Sequence, residues 1–73
     1  MMIQEKEIQE CVRKFVKLYY CNAMLYNSLV DMYSAQLGCE RNVEIIVRVM
    51  AATQPTLFQH ASETLDTGIK LHS

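Results

Sequence analysis

The feature that most constrains this chain is an apolar pattern with helical spacing that runs through its whole first half. The first stripe of the pattern consists of Ile8, Cys11, Phe15, Leu18, Asn22, Leu25, Leu29, Met32 and Gln36. A second stripe beside it consists of Val12, Val16, Tyr19, Ala23, Tyr26, Val30, Tyr33 and Leu37. Because the two stripes persist over about four heptads, they predict one long helix over about residues 4–37 that is buried against more than one neighbouring helix.

Two shorter helices are predicted after Gly38, since glycine is typical of the position that follows the last turn of a helix. Hydrophobic spacing indicates a second helix over about residues 40–53. Pro55 then favours the start of a third helix over about residues 55–67. Gly68 is expected to end that helix.

The segment 43–49 has a second possible interpretation. Its alternating residues are all β-branched and comprise Val43, Ile45, Val47 and Val49. Such alternation is typical of a strand, but a strand needs a partner and the sequence contains no second strand-like segment. We therefore predict a helix here, and an all-α fold for a single helical domain of residues 1–73.

The composition supports a folded chain with a small core. Of the 73 residues, 51% are hydrophobic and 21% are charged, whereas a disordered chain would have lower hydrophobicity and a higher net charge. A core of this size rarely contributes more than ~3–5 kcal/mol, so chains this short usually need disulfides, a metal or oligomerisation.

The length of the predicted first helix argues for a homo-oligomer. Residues 8–36 would form a helix about 44 Å long at ~1.5 Å per residue, whereas a compact chain of this length is only ~29 Å across. We therefore predict a helical-bundle dimer in which a second copy covers the open stripe and Asn22 fixes the register of the seam. The alternative is a kink at Tyr20–Asn22 that folds the chain into a four-helix monomer.

Nine residues along the stripes form the candidate interface. They are Phe15, Leu18, Tyr19, Asn22, Leu25, Tyr26, Leu29, Met32 and Tyr33. The three tyrosines recur every seven residues along one edge, and tyrosine is common both at the rim of a helical core and among the hot spots of protein interfaces. We expect these residues to contact a second copy of the chain or another protein.

No pattern in the sequence indicates catalysis, a cofactor or a metal. His60 and His72 are the available histidine bases, and no spacing of cysteines or histidines matches a metal site. The two glycines, Gly38 and Gly68, are too far apart to form a phosphate-binding loop. We predict that the protein is not an enzyme, has no cofactor and has no catalytic or metal-binding residues.

The charge argues against nucleic acid as a partner, because the formal net charge is -1 and DNA-binding domains usually carry a basic excess. Arg13, Lys14 and Lys17 form a local basic cluster, and Glu10 is spaced to pair with Arg13 and Lys14 on a helix. The alternative function is a nucleic-acid-binding regulator whose second half resembles a helix-turn-helix, although the third helix offers no arginine.

The location expected from the sequence is the cytoplasm. The chain contains no apolar run of the ~18 residues that a membrane-spanning helix needs. Residues 1–7 lack the apolar centre of a signal peptide. The cysteines, Cys11, Cys21 and Cys39, are odd in number, which favours reduced thiols.

These observations predict a small helical protein with a partner-binding or regulatory role that acts through protein–protein contacts, as a homo-oligomer. Such a function requires an apolar surface that remains exposed after the chain has folded.

Overall fold

Four helices joined by short connections form the protein in the computed structural model, which describes residues 2–72. Helix α1 spans Glu5–Cys21, α2 spans Ala23–Leu37, α3 spans Val43–Thr53 and α4 spans Pro55–His72. The described residues contain no strand. The all-α prediction is therefore confirmed, whereas the prediction of one long helix and two shorter ones is wrong.

Asn22 divides the predicted long helix into α1 and α2. Its backbone is extended, with φ −158° and ψ 89°, and its N–H donates to the Leu18 carbonyl at 2.7 Å. Its Oδ1 accepts a hydrogen bond from the Leu25 N–H at 3.1 Å, which caps the start of α2. Asparagine favours this position because its short side chain reaches the unpaired N–H groups of the first turn. The residue assigned to a dimer seam is therefore a helix cap, and the break near Tyr20–Asn22 and the four helices of the alternative are observed.

Helices α1 and α3 each pack against all three of the other helices, whereas α2 and α4 approach each other least. Lys14 Nζ donates to Ser62 Oγ at 2.7 Å, and Asn22 Nδ2 lies 3.2 Å from His72 Nε2. Residue numbers thus rise together along α1 and α4, so these two helices run parallel and side by side.

The dimensions of the molecule contradict the helix length from which a dimer was predicted. The longest principal extent is 31 Å, far shorter than the ~44 Å of a continuous helix over residues 8–36. Because the chain bends at Asn22, the two halves of the stripe pack within one molecule. Dimerisation stays a prediction and needs a different argument.

Helix α3 forms in the segment whose sequence pattern was also compatible with a strand. Asn42 caps it, with Oδ1 accepting from the Ile45 N–H at 3.2 Å, so the helix begins at Val43 and not near residue 40. Ile46 and Met50 are completely buried on one face. Burial at helical spacing therefore outweighs the β-branched composition of the segment.

Helix α4 continues through Gly68 to His72, so the predicted end at Gly68 is wrong. Gly68 is buried, and a Cβ atom there would lie 3.0 Å from Leu25 Cδ2 and 3.3 Å from Leu18 Cδ1. This glycine permits close packing of α4 on α1 and α2. Gly38, by contrast, ends α2 as predicted, in the left-handed conformation with φ 67°.

One core connects the four helices, and an aromatic cluster lies at its centre. Its buried hydrophobic residues are Ile3, Cys11, Phe15, Leu18, Leu29, Val30, Tyr33, Ile46, Val47, Met50, Phe58, Ala61 and Leu65. The Phe15 ring packs edge-on against Tyr26 and Tyr33, with centroids 6.3 and 6.4 Å apart. These contacts join α1 to α2 across the bend.

A two-pronged ion pair joins the first turn of α1 to α3. Arg48 Nη1 and Nη2 donate to the two carboxylate oxygens of Glu5 at 2.9 and 2.8 Å. Gln9 Nε2 also donates to Glu5 at 2.8 Å. The Arg48 bonds, followed by the Gln9 bond, lower the pKa of the Glu5 carboxyl from its usual 4.5 to about 2.

This ion pair predicts a specific acid dependence of stability. A carboxyl whose pKa is lowered by folding stabilises the folded state fully above its unfolded pKa, and that contribution is lost as the pH falls. The Glu5 contribution should therefore be present above pH 4.5 and disappear between pH 4.5 and about 2. Thermal unfolding of the wild type and Glu5→Gln across this range should give melting temperatures that converge at the acid end. A constant difference at all pH values would contradict the assignment.

The buried thiol of Cys11 predicts selective alkylation. Cys11 is 1% exposed, and burial raises the pKa of its thiol to about 11. Because the thiolate is the reactive form, iodoacetamide at pH 8 should modify the half-buried Cys21 and Cys39 and spare Cys11 in the folded protein. Mass spectrometry of peptides, with a urea-unfolded sample as the control, measures this. Rapid modification of Cys11 without urea would mean that the α1 core opens readily.

Candidate protein-binding surface

The nine predicted interface residues are divided between the core and the surface. Phe15, Leu18, Leu29 and Tyr33 are buried in the molecule's own core. Asn22, Leu25 and Tyr26 are half-buried, and only Tyr19 and Met32 are exposed. Burial raises the pKa of the Tyr33 hydroxyl, as expected for a ring inside the core. The fold therefore brings most of the predicted set together in contacts within the chain, and leaves few of them available to a partner.

A second set of apolar side chains, which shares only Tyr19 with the nine predicted residues, is exposed near the junction of α1 and α2. We name it the corner surface, and it consists of Val16, Tyr19, Tyr20 and Met24. Tyr20 is 82% exposed and Met24 is 80% exposed, while Val16 and Tyr19 are each 49% exposed. Tyr20 and Met24 lie two residues before and two residues after Asn22, so two large, exposed apolar residues flank the bend.

The rings of the corner surface are held in place by the core beneath them. The Tyr19 ring packs edge-on against Tyr20 with centroids 5.5 Å apart, and against Tyr26 with centroids 5.1 Å apart. Tyr26 in turn packs on buried Phe15. A continuous series of aromatic contacts thus connects the exposed Tyr20 ring to the centre of the core, and limits the freedom that the ring would lose on binding.

Sequence reasoning missed Tyr20 and Met24 as candidate contact residues. Both interrupt the polar ridge of the predicted long helix, which consists of Lys6, Glu10, Arg13, Lys17, Asn27, Asp31 and Ser34. A large apolar side chain on this ridge has no core to enter. An apolar residue on a polar ridge was the available signal, and it points to a surface role once the direction of the core is known.

A shallow groove lies between α2 and α4, where the two helices diverge. Its volume is about 510 Å³, and Leu25 lines one side of it. The α4 side consists of His60, Glu63, Thr64, Thr67, Gly68, Leu71 and His72. Leu71 is 75% exposed, so the groove extends the apolar surface toward the end of α4.

Apart from Lys6, which lies between Glu5 and Glu7, the charges of α1 are segregated along its length. The acidic residues Glu5, Glu7 and Glu10 precede the basic residues Arg13, Lys14 and Lys17. Lys14 pairs with Asp66 at 3.1 Å and not with Glu10, so the predicted Glu10–Lys14 ion pair is not formed. Within residues 2–72, Glu10, Arg13 and Lys17 form no ion pair.

Among residues 2–72, no group of three or more histidine, cysteine, aspartate or glutamate residues could hold a metal ion. His60 borders the groove beside Glu63, but no cysteine lines that groove.

The second half of the chain departs from a helix-turn-helix in one respect. A single residue, Gln54, separates α3 from α4, whereas that motif has a turn of roughly three or four residues. Ser62, one of the polar side chains available on α4, accepts a hydrogen bond from Lys14. No specific feature of this region favours contact with bases.

Comparisons with known proteins gave no significant match to a family model, to a curated protein or to a solved structure. In the part of the chain that the structure describes, no helix combines the length and the apolar character needed to cross a bilayer.

Proposed function

We propose that this chain is a small helical protein-binding module with a regulatory role, and that the corner surface is its contact site. The observation that carries the proposal is the exposure of Tyr20 and Met24, which flank the bend at Asn22 and are each about four-fifths exposed. Single exposed apolar residues are ordinary, but contiguous ones mark interaction surfaces. Burying a side chain of this size stabilises a complex by ~1.5–3 kcal/mol.

The chemistry of the surrounding surface supports a protein partner. Tyrosine and methionine are both enriched at protein interfaces, and charged residues are depleted from interface centres. The one charged residue in α2 is Asp31, and Arg41 pairs with it. The exposed side of α2 next to Met24 is therefore almost free of unpaired charge, which lowers the desolvation cost of covering it.

The partner is either a second copy of the chain or a different protein, and occupancy of the surface would be the regulatory signal. We also propose that the protein acts in the cytoplasm, because Cys11, Cys21 and Cys39 are all free thiols and disulfide-free cysteines are typical of reducing compartments.

A capture experiment with matched variants tests the contact site. The wild type, Tyr20→Glu/Met24→Glu and the control Gln59→Glu/Thr56→Glu would each be immobilised and exposed to an extract of the native host. The control pair is exposed on α4, so it introduces the same charge elsewhere. We expect proteins retained by the wild type and the control to be lost from the corner variant, with circular dichroism verifying that all three fold. Equal retention by all three would refute the corner surface as the contact site.

A further inference from the structure

We propose that the partner is a different protein, which presents a short acidic segment with an apolar residue at one end, and that this segment binds the C-terminal half of α1. The inference rests on the proposed function and adds the chemistry of the partner. It depends on the charge of the part of α1 that leads to the corner surface, and on which of its cations are left without a partner.

The C-terminal half of α1 contains basic residues and no acidic ones. After Glu10, every charged residue of the helix is basic, and these residues are Arg13, Lys14 and Lys17. Arg13, Lys17 and Tyr20 follow one another at spacings of four and three residues, so they lie on one side of the helix. All three are exposed. Positive charge is therefore concentrated beside the corner surface.

Two of these cations are not neutralised by acidic groups of the same molecule. Lys14 Nζ pairs with Asp66 Oδ2 at 3.1 Å, whereas Arg13 and Lys17 form no ion pair within residues 2–72. The two arginines outside α1 are both ion-paired. A carboxylate of another molecule can therefore pair with Arg13 and Lys17 without breaking an ion pair inside this one.

The N-terminal half of the same face adds no net charge. Lys6 and Glu10 precede Arg13 at the same helical spacing, and both are exposed. Glu5 and Glu7 are each turned by about 100° from Lys6, because an α-helix has 3.6 residues per turn. The excess of positive charge on this face thus begins after Glu10, and a complementary segment needs its carboxylates only there.

A shallow hollow between α1 and α4 places the two free cations beside a concave surface. Its volume is about 310 Å³, and its lining residues are Glu10, Arg13, Lys14, Lys17, Asp66 and Ile69. Three of these residues are cations and two are carboxylates, and one of the carboxylates is already paired with Lys14. A carboxylate that enters the hollow therefore meets an excess of positive charge.

The apolar side chains next to these cations define the other end of the segment. Tyr20 is 82% exposed and Val16 is 49% exposed, and Met24, at 80%, follows across the bend. A segment that places carboxylates opposite Arg13 and Lys17 and an apolar side chain on the corner surface complements both features. Arg13 and Tyr20 are about 10.5 Å apart along the helix axis at ~1.5 Å per residue, so a short segment spans the distance.

A polyanion or a second copy fits this face less well. Nucleic acids and anionic membranes present closely spaced negative charges over a wide area, and such charges would also meet Glu10. The formal net charge of -1 offers them no attraction beyond the ~8 Å range of charges at physiological salt. In a two-fold pair of copies, Arg13 and Lys17 would face cations of the same kind. Localised carboxylates beside an apolar group are therefore the chemistry that these observations favour.

Selection from a displayed library of random peptides tests the chemistry of the partner directly. Peptides of about 12 residues span the face in either a helical or an extended form. The full chain and Arg13→Gln/Lys17→Gln would be immobilised in parallel, and circular dichroism would verify that both fold, since glutamine is a good helix former. We expect the wild type to enrich peptides that carry acidic residues beside an apolar or aromatic one, and the variant not to enrich them.

Fluorescence anisotropy of the most enriched peptide then measures the contribution of each group. We expect affinity to fall by about tenfold for Arg13→Gln/Lys17→Gln and by about tenfold for Tyr20→Ala, and to weaken with added salt. Ala35→Glu/Gln36→Glu is the matched control, because it makes the same change in net charge at exposed positions near the end of α2. This control should bind nearly as the wild type does. A thymidine oligonucleotide and vesicles of phosphatidylserine and phosphatidylcholine should bind more weakly than the peptide.

Several results would overturn the inference. They are enrichment of neutral or basic peptides, no enrichment at all, and equal affinity of the enriched peptide for the wild type and Arg13→Gln/Lys17→Gln. Tighter binding of the oligonucleotide or the vesicles would also overturn it, by assigning the face to a polyanion. Failure of the proposed function is separable from these results. Host proteins that are lost from Tyr20→Glu/Met24→Glu but fully retained by Arg13→Gln/Lys17→Gln would refute the acidic segment alone and leave the corner surface as the contact site.

Discussion

Replacing Phe15 with alanine is expected to destabilise the protein by about 3–5 kcal/mol, the usual cost of removing a buried aromatic ring. Phe15 has no exposed surface, and its ring contacts the edges of Tyr26 and Tyr33 on α2. The substitution removes this apolar surface and leaves a cavity between α1 and α2. Because the ring joins two helices at a bend, the cavity cannot close without moving one of them.

This loss is comparable to the whole stability of the chain. A domain of this length usually unfolds with a free energy of roughly 4–11 kcal/mol, and a core this small tends toward the lower figure. Urea unfolding followed by circular dichroism should therefore show Phe15→Ala largely unfolded at 25 °C before urea is added. Val16→Ala, at the neighbouring half-exposed position, should lose less than about 1 kcal/mol. A cooperative transition of Phe15→Ala near the wild-type midpoint would show that the aromatic cluster is not the centre of the core.

The sequence predicts the buried faces of this fold much better than its topology. Spacing alone identifies Cys11, Phe15 and Leu18 as one face of a helix, and the structure buries all three. The same spacing continues past Asn22, because residues on both sides of a bend still face one common core. A periodic pattern therefore reports which side of the chain is buried, and it does not distinguish one long helix from two shorter ones packed on each other.

The bend explains why the candidate surface was predicted only in part. Helix α2 folds back on α1, so the stripe that was predicted to form a dimer seam is largely buried within one molecule. Leu29 and Tyr33 are therefore core residues. Tyr20 and Met24 are left outside, since they occupy the ridge that faces away from the core. Their exposure depends on the direction of both helices, which is tertiary information that the spacing of apolar residues does not contain.

The two glycines also show the difference between a role that the local sequence predicts and a role that depends on tertiary packing. Gly38 has φ 67° with nothing within 4 Å of a Cβ position, so its role is to provide a left-handed residue at a helix end. Gly68 lies inside α4, where its role is to let neighbouring side chains approach. Both positions follow an apolar helical segment in the sequence. Only Gly38 follows the rule that a glycine after an apolar helical segment ends the helix. Gly68 does not, because its role depends on the side chains that pack against it.

A larger side chain at Gly68 should therefore be the second most damaging change considered for this protein. Gly68→Leu would place a branched side chain where the Cβ alone already lies 3.0 Å from Leu25 Cδ2 and 3.3 Å from Leu18 Cδ1. Overpacking of this kind costs about 1–3 kcal/mol, and it would separate α4 from α1 and α2. Urea unfolding measures the change in the free energy of unfolding.

Gly68→Ala is the matched control for this prediction. Alanine favours a helix over glycine by ~1 kcal/mol, and its single methyl group would meet only the flexible ends of Leu25 and Leu18. The two effects oppose each other, so the unfolding midpoint should stay close to that of the wild type. If Gly68→Leu also unfolded at the wild-type midpoint, α4 would not be packed as closely as described, and Gly68 would be an ordinary exposed helix residue. If Gly68→Leu is destabilising and Gly68→Ala is neutral, the lack of space, and not the backbone conformation, is what requires a small residue at this position.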